Sequence, residues 1–324
     1  MTDYNFDLEG SSIGINSESK GHENVSLIEN NNETTTSNVN TEEALAPNNE
    51  GSNTYQPSNT IRIGDSQAPV IILFGSPASG KSMTLVRLAR YLRKVKRLTV
   101  ATDRTFKSGQ SYIDLCDQFE KHLDTKTALP STKDDEFLMV KIYENGRLIA
   151  HILEAPGEHF FKPLSPKEMH ISGQINMRPY LTKIIDQIPN RRIWAFLLQA
   201  QWPVDGKNYD AFVDTIRTCK DRFIQPADRT ILLYNQVDVL SHLFKNAKVL
   251  SNQAEIAMRG EYSGVDVIFK NTNPITSLWK SHTYFFVPFS TGTYSMENGE
   301  KVYTESKDYF PEMLWTTLKK CIKG

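Results

Sequence analysis

Apolar positions are sparse and aperiodic over the first 65 residues or so, then become dense and regular. The stretch "NVSLIENNNETTTSNVNTEEALAPNNEGSNT" holds only isolated large apolar side chains among Asn, Ser, Thr and Glu. Such a segment cannot bury enough surface to offset its ordering entropy, so residues 1–66 are expected to form a disordered tail. The folded domain is expected over 67–324. It opens with "APVIILF", a continuous apolar run of the length of a buried strand. Behind it, Leu85, Leu88, Ala89, Leu92 and Val95 recur at i, i+3, i+4, i+7 and i+10, the spacing of one helix face. Arg87, Arg90, Arg93 and Lys94 fall on the other face, which reads as solvated.

"EFLMVKIYENGRLIAHILEAPGE" then predicts two strands joined at Asn145-Gly146, because both residues tolerate positive φ. A strand "RIWAFLLQA", a helix near "AFVDTIRTCKDRF" and a strand "RTILLYNQVD" come next. A helix near "SHLFKNAKVL", a strand "TYFFVPFS" and a closing helix "FPEMLWTTLKKCIK" complete the chain. Between the first helix and the hairpin, roughly residues 97–127, "SYIDLCDQFEKHL" reads as an inserted helix. Alternating strands and helices predict an α/β fold, a three-layer sandwich around a mostly parallel sheet with one antiparallel hairpin.

Charge and cysteine content narrow the setting. The net charge of −1 conceals an acidic start, with 11 acidic against 2 basic residues through Asp65, and so a mildly basic body. That balance suits a polyphosphate ligand, and no Lys/Arg block alternates with aromatics as a nucleic-acid stripe would. Cys116, Cys219 and Cys321 are widely spaced and form no metal-ligand pattern or disulfide framework. The polar, acidic start is no signal peptide, and "IWAFLLQAQW" is too short to span a bilayer. A cytoplasmic protein with no transmembrane segment is the expectation.

"GSPASGKS", Gly75, Ser76, Pro77, Ala78, Ser79, Gly80, Lys81 and Ser82, fits the phosphate-loop pattern between the predicted strand and helix. Backbone N–H groups there, continuing to Met83, would face phosphate oxygens at a helix N-terminus. Lys81 would neutralise the β- and γ-phosphates, and the Ser82 hydroxyl would bind Mg2+. Three later stretches bear on the nucleotide. "HILEAPGE" puts Glu154 at a strand end with Gly157 three positions on, then Glu158. "ILLYNQVD" ends a strand in Asn235, Gln236 and Asp238. "FFVPFSTGTY" ends one in Ser290 and Thr291.

In this order the motifs resemble the Ras-like, TRAFAC-type branch of P-loop GTPases, from about Ala68 to the C-terminus. Among bacterial members the chain is similar to the divergent domains found in paired double-GTPase modules. The resemblance implies GTP/GDP and Mg2+ as ligands. Glu154 would stand for the Mg2+-linked Asp of DxxG, and Gly157 for the γ-phosphate-sensing glycine. Asp238 would read guanine, Asn235 would tie its loop to the phosphate loop, and Gln236 stands where NKxD has Lys. Ser290 and Thr291 would form the turn over the base. Thr132 would be the switch threonine on Mg2+, with Ser131 and Thr127 as competitors. Glu158 falls where a Gln or His commonly positions the attacking water, so hydrolysis is expected to be slow, and a protein effector or activator is implied. Two other readings fit the phosphate loop equally: a P-loop ATPase or small-molecule kinase, and a non-hydrolysing nucleotide-binding scaffold.

Overall fold

The computed structural model describes residues 63–125, 137–157, 179–200, 208–297 and 300–324. Residues 1–62 of the expected tail and the positions of Thr127, Ser131, Thr132 and Glu158 lie outside the described residues. The chain enters through β1 (Val70–Phe74), all five of whose side chains are buried. α1 (Lys81–Lys94) follows, then β2 (Thr99–Thr102) and α2 (Gln110–Asp124). β3 (Leu138–Glu144) and β4 (Arg147–Glu154) form the expected hairpin, with Asn145 and Gly146 at φ 52° and 77°. β5 (Arg192–Gln199) and β6 (Arg229–Asn235) come next, separated by the helix Asn208–Phe223.

Here one expectation fails. "SHLFKNAKVL" is not a helix: after a short 3-10 turn, Ser241–Leu243, it forms β7 (Phe244–Lys245) and β8 (Lys248–Val249). Asn246 and Ala247 both sit at positive φ, 51° and 59°, which closes a tight two-residue turn and stops helical propagation. The helix of this region begins later, at Ser251–Glu261. β9 (Tyr284–Pro288), the pair β10 (Gly292–Glu297) and β11 (Glu300–Glu305), and the helix Tyr309–Lys323 end the chain.

The main sheet runs β2-β3-β4-β1-β5-β6-β9. β4, β1, β5, β6 and β9 are mutually parallel, and β3 is antiparallel to both β2 and β4. Only β3 therefore opposes the common direction. The structure adds two hairpins to the one expected, β7–β8 and β10–β11. Helices cover both faces. On one, Phe74 and Trp194 pack against Phe212 and Phe223 of Asn208–Phe223. β1 and β5 are central and wholly buried, so their apolar runs carry no polar alternation. Because the parallel strands share one direction, their C-terminal ends lie on one edge, and the loops leaving them converge there.

Basic residues of α1 depart from the solvated face read from the sequence. Arg87 and Arg90 are only 1% and 3% exposed. Arg87 reaches Ser306 O at 2.7 Å and Asp308 Oδ1 at 2.6 Å. Arg90 donates to Glu305 Oε1 at 2.7 Å, to His122 O at 2.5 Å and to Thr125 O, and it lies over the Tyr303 ring. The β10–β11 hairpin and the end of α2 cover this face, and its guanidiniums are buried because each finds several acceptors.

Candidate nucleotide site

The loop after β1 is shaped by its own sequence. Gly80 sits at φ 85°, a left-handed conformation, and Ala78 also has positive φ at 59°. A Cβ on Gly80 would come 2.6 Å from Asn235 Nδ2, so the position lacks room as well as favouring glycine. Pro77 and Ala78 form the exposed crest, while Ser76, Ser79 and Lys81 are buried. Lys81 Nζ donates to Gly75 O at 3.0 Å and Ser76 O at 2.9 Å, which curls the ammonium back over the loop. The first turn of α1 closes with Thr84 N donating to Gly80 O at 2.8 Å.

Neighbouring strand ends bring the other residues in. Glu154, the last residue of β4, is in register with Leu73 of β1, so its side chain arrives beside the start of α1. Ser82 Oγ donates to Glu154 Oε1 at 2.5 Å, and Glu154 is 3% exposed. Two oxygens of the donor set that hard divalent cations prefer thus stand together. Gly157 lies against the loop backbone: a Cβ there would come 2.2 Å from Pro77 N. Only a residue without a side chain allows this approach.

Asn235, last in β6 and wholly buried, donates from Nδ2 to Ser79 O at 2.9 Å. Gln236 turns the chain with φ 63°, and Val237–Val239 forms a single 3-10 turn that leaves Asp238 exposed. Val237 N donates to Phe289 O at 3.2 Å, and Phe289 N to Tyr234 O at 2.8 Å. These bonds fix the Asn235–Asp238 loop beside Ser290 and Thr291, both buried. Thr291 O in turn accepts from Ser306 N at 3.2 Å and from Tyr303 OH.

The structure therefore gathers Gly75–Met83, Glu154, Gly157, Asn235–Asp238, Ser290 and Thr291 at one edge of the sheet. Ser76 Oγ, Ser79 Oγ and Asn235 Oδ1 are buried with no hydrogen-bond partner among the described residues. Buried polar atoms are rarely left so, and acceptor-rich phosphate groups would satisfy the two hydroxyls. The residues present thus fit a nucleoside phosphate with a divalent cation. Sequence reasoning missed the arginine and tyrosine scaffold behind Thr291. Its available signal was Asn298-Gly299 between two alternating runs, "TGTYSME" and "EKVYTES", which marks a hairpin immediately after the Ser290-Thr291 turn.

No family model matches the chain, and no curated protein does. Among solved structures, it is similar to one described as nucleolar GTP-binding protein 1 from Plasmodium falciparum, at 12% identity and a TM-score of 0.37. That match covers 82% of this chain and 90% of the other.

Proposed function

We propose that this chain is a Mg2+-dependent GTP-binding switch that hydrolyses GTP slowly. The observation that carries this reading is the hydrogen bond from Asn235 Nδ2 to Ser79 O. It ties the strand end that would read the base to the loop that would hold the phosphates. An accidental N-x-x-D at a strand end has no reason to be so connected.

In this reading the loop N–H groups from Ala78 to Met83 bind the phosphate chain, and Lys81 neutralises its β- and γ-oxygens. Ser82 Oγ and, through a water, the Glu154 carboxylate would hold Mg2+, with Thr132 as a further ligand implied by the resemblance, and the ion would supply charge neutralisation at the phosphates. Gly157 reports the γ-phosphate through its backbone, since its contact with Pro77 makes that turn sensitive to what occupies the loop. Asp238 accepts from guanine N1–H and the 2-amino group, a donor pair adenine lacks. Glu158 brings negative charge toward the γ-phosphate. Intrinsic hydrolysis is then slow, and an activating partner that supplies a cation would raise it.

Titration of GTP, GDP, ATP and ADP, each with and without Mg2+, tests the proposal. The expected result is a guanine preference that strengthens with Mg2+. Equal affinity for ATP would return the ATPase or kinase reading to first place. Multiple-turnover phosphate release then distinguishes a slow hydrolase from a scaffold.

A further inference from the structure

The edge of the sheet opposite the nucleotide site carries an unusual tip. Between Phe269 and β9 the chain makes a short excursion closed at its base by Asn271 N to Ser281 O at 2.8 Å and Thr283 N to Phe269 O at 2.8 Å. At its end Ile275, Leu278 and Trp279 are 67%, 76% and 79% exposed. Ile275 and Trp279 flank the 3-10 turn Thr276–Leu278 and both have αR backbone, so the three apolar side chains share one helical turn. The turn is preformed. Asn273 Oδ1 accepts from Ile275 N at 2.9 Å and Thr276 N at 3.1 Å, and Asn271 Nδ2 donates to Thr276 Oγ1 and Lys280 O. A loop merely lacking a core would not carry this set of bonds.

Positive charge gathers beside the tip. Lys280 follows Trp279 directly, its ammonium 4.1 Å from the Phe285 ring centroid and within electrostatic reach of Arg229. Lys320 joins these two around Cys321, whereas the Arg191 guanidinium there is held by Cys321 O and Ile322 O at 2.6 Å each. Asp228, the acid beside Arg229, is turned to neutral donors, Arg192 N, Gln225 N and Trp194 Nε1, and keeps its negative charge, which offsets part of the pole's positive charge. The tip is thus a small apolar projection beside a basic pole.

We propose that this pole docks on an anionic lipid surface, with Ile275, Leu278 and Trp279 entering the interfacial region and Lys280, Arg229 and Lys320 facing headgroup phosphates. A projection formed by one turn buries its apolar side chains only in a matching concave pocket or in a medium that yields to it. The clustered cations favour the second. Trp is at home at a bilayer interface, and basic residues are drawn to the negative surface potential there. Arg229 and Asn235 stand at opposite ends of β6, about 20 Å apart at strand rise. The nucleotide edge would therefore face away from the lipid, and both sites can be filled together.

The test is co-sedimentation of the full chain with vesicles of phosphatidylcholine, alone or with phosphatidylserine as roughly a third of the lipid. Binding is expected to the anionic vesicles only, weakening with salt. Leu278→Ser/Trp279→Ser should lower the partition coefficient at least tenfold. Arg229→Glu/Lys280→Glu should lower it about fivefold per charge or more. Anionic vesicles should also shift tryptophan emission to the blue, and Trp279→Phe should abolish that shift. Unchanged melting temperature and nucleotide affinity in each variant establish that the fold is intact. Wild-type protein that stays in the supernatant with both vesicles would overturn the proposal and leave a concave protein pocket as the occupant. Equal sedimentation of Leu278→Ser/Trp279→Ser and wild type would overturn it as well.

Discussion

The phosphate loop and the arginine clamp on α1 are built from the same kinds of bond and serve opposite ends. In the loop, Lys81 and Asn235 bind backbone carbonyls of Gly75, Ser76 and Ser79. In the clamp, Arg87 and Arg90 bind backbone carbonyls of Ser306, His122 and Thr125 and the carboxylates of Asp308 and Glu305. Both leave a buried polar atom without a partner among the described residues, Ser76 Oγ and Ser79 Oγ in the loop and Arg90 Nε in the clamp, so satisfaction alone does not separate them. The loop's bonds close on the loop itself and on the adjacent strand end, whereas the clamp draws acceptors from distant parts of the chain onto each guanidinium and so holds the fold together. The two regions also touch: Thr291, beside the Asn235–Asp238 loop, accepts from Tyr303, whose ring lies under Arg90.

Variants should separate the two by what they damage. The largest effect is expected for Arg90→Ala, which leaves Glu305 with Arg87 alone and strips two backbone carbonyls of their donor. About 3 kcal/mol of folding stability should be lost in urea unfolding, at the low end for a buried pair because Glu305 keeps 31% of its side chain exposed. Arg90→Lys should recover little of it, since an ammonium cannot span the same acceptors. If Arg90→Ala instead weakened nucleotide binding with stability intact, the clamp would belong to the site.

Lys81→Ala is expected to do the reverse. Triphosphate affinity should fall by about 2 kcal/mol, roughly thirtyfold, while stability changes by about 1 kcal/mol or less. Isothermal titration beside urea unfolding measures both. A stability loss as large as that of Arg90→Ala would show that the loop lysine is structural.

A smaller, more specific effect is expected at Asp238. Exchange to Asn swaps an acceptor for a donor and should move preference from GTP toward XTP by about 1–3 kcal/mol, read by competition between the two. No movement, in a protein that still binds triphosphate, would remove Asp238 from the base.

The smallest effect concerns pH. Burial holds the His151 ring below its ordinary range, outweighing the Asp103 carboxylate and the Asp65 backbone, which act the other way. Burial lowers His122 and His282 in the same direction. As pH falls below about 6.5, the unfolded chain takes up protons that these folded rings resist, so stability should decline from roughly pH 7 to 5.5. His151→Leu should flatten that decline, as followed by urea midpoints across the range. An equally steep decline in the variant would assign it to other groups.

Much of this molecule follows from local sequence. The run "VIILF" buries as β1 because every side chain is apolar, and Asn145-Gly146 turns the β3–β4 hairpin because both residues accept positive φ. The turn after β1 was legible because Gly80 answers a local constraint, a positive φ of 85°, although the room it leaves is set by Asn235 far along the chain. Arg87 and Arg90 were misread because their acidic partners lie over 200 positions away, and a basic helix face looks the same whether water or acids cover it. "SHLFKNAKVL" was misread because its helical spacing is interrupted by two positive-φ residues, one of them an alanine that gives no warning. What only the tertiary structure decided is the company each motif keeps. The parallel sheet sets Glu154 against Ser82 and Asn235 against Ser79, contacts that span 72 and 156 residues of chain. Residue type limits which partners a group can take, but strand order and register determine which of them it meets.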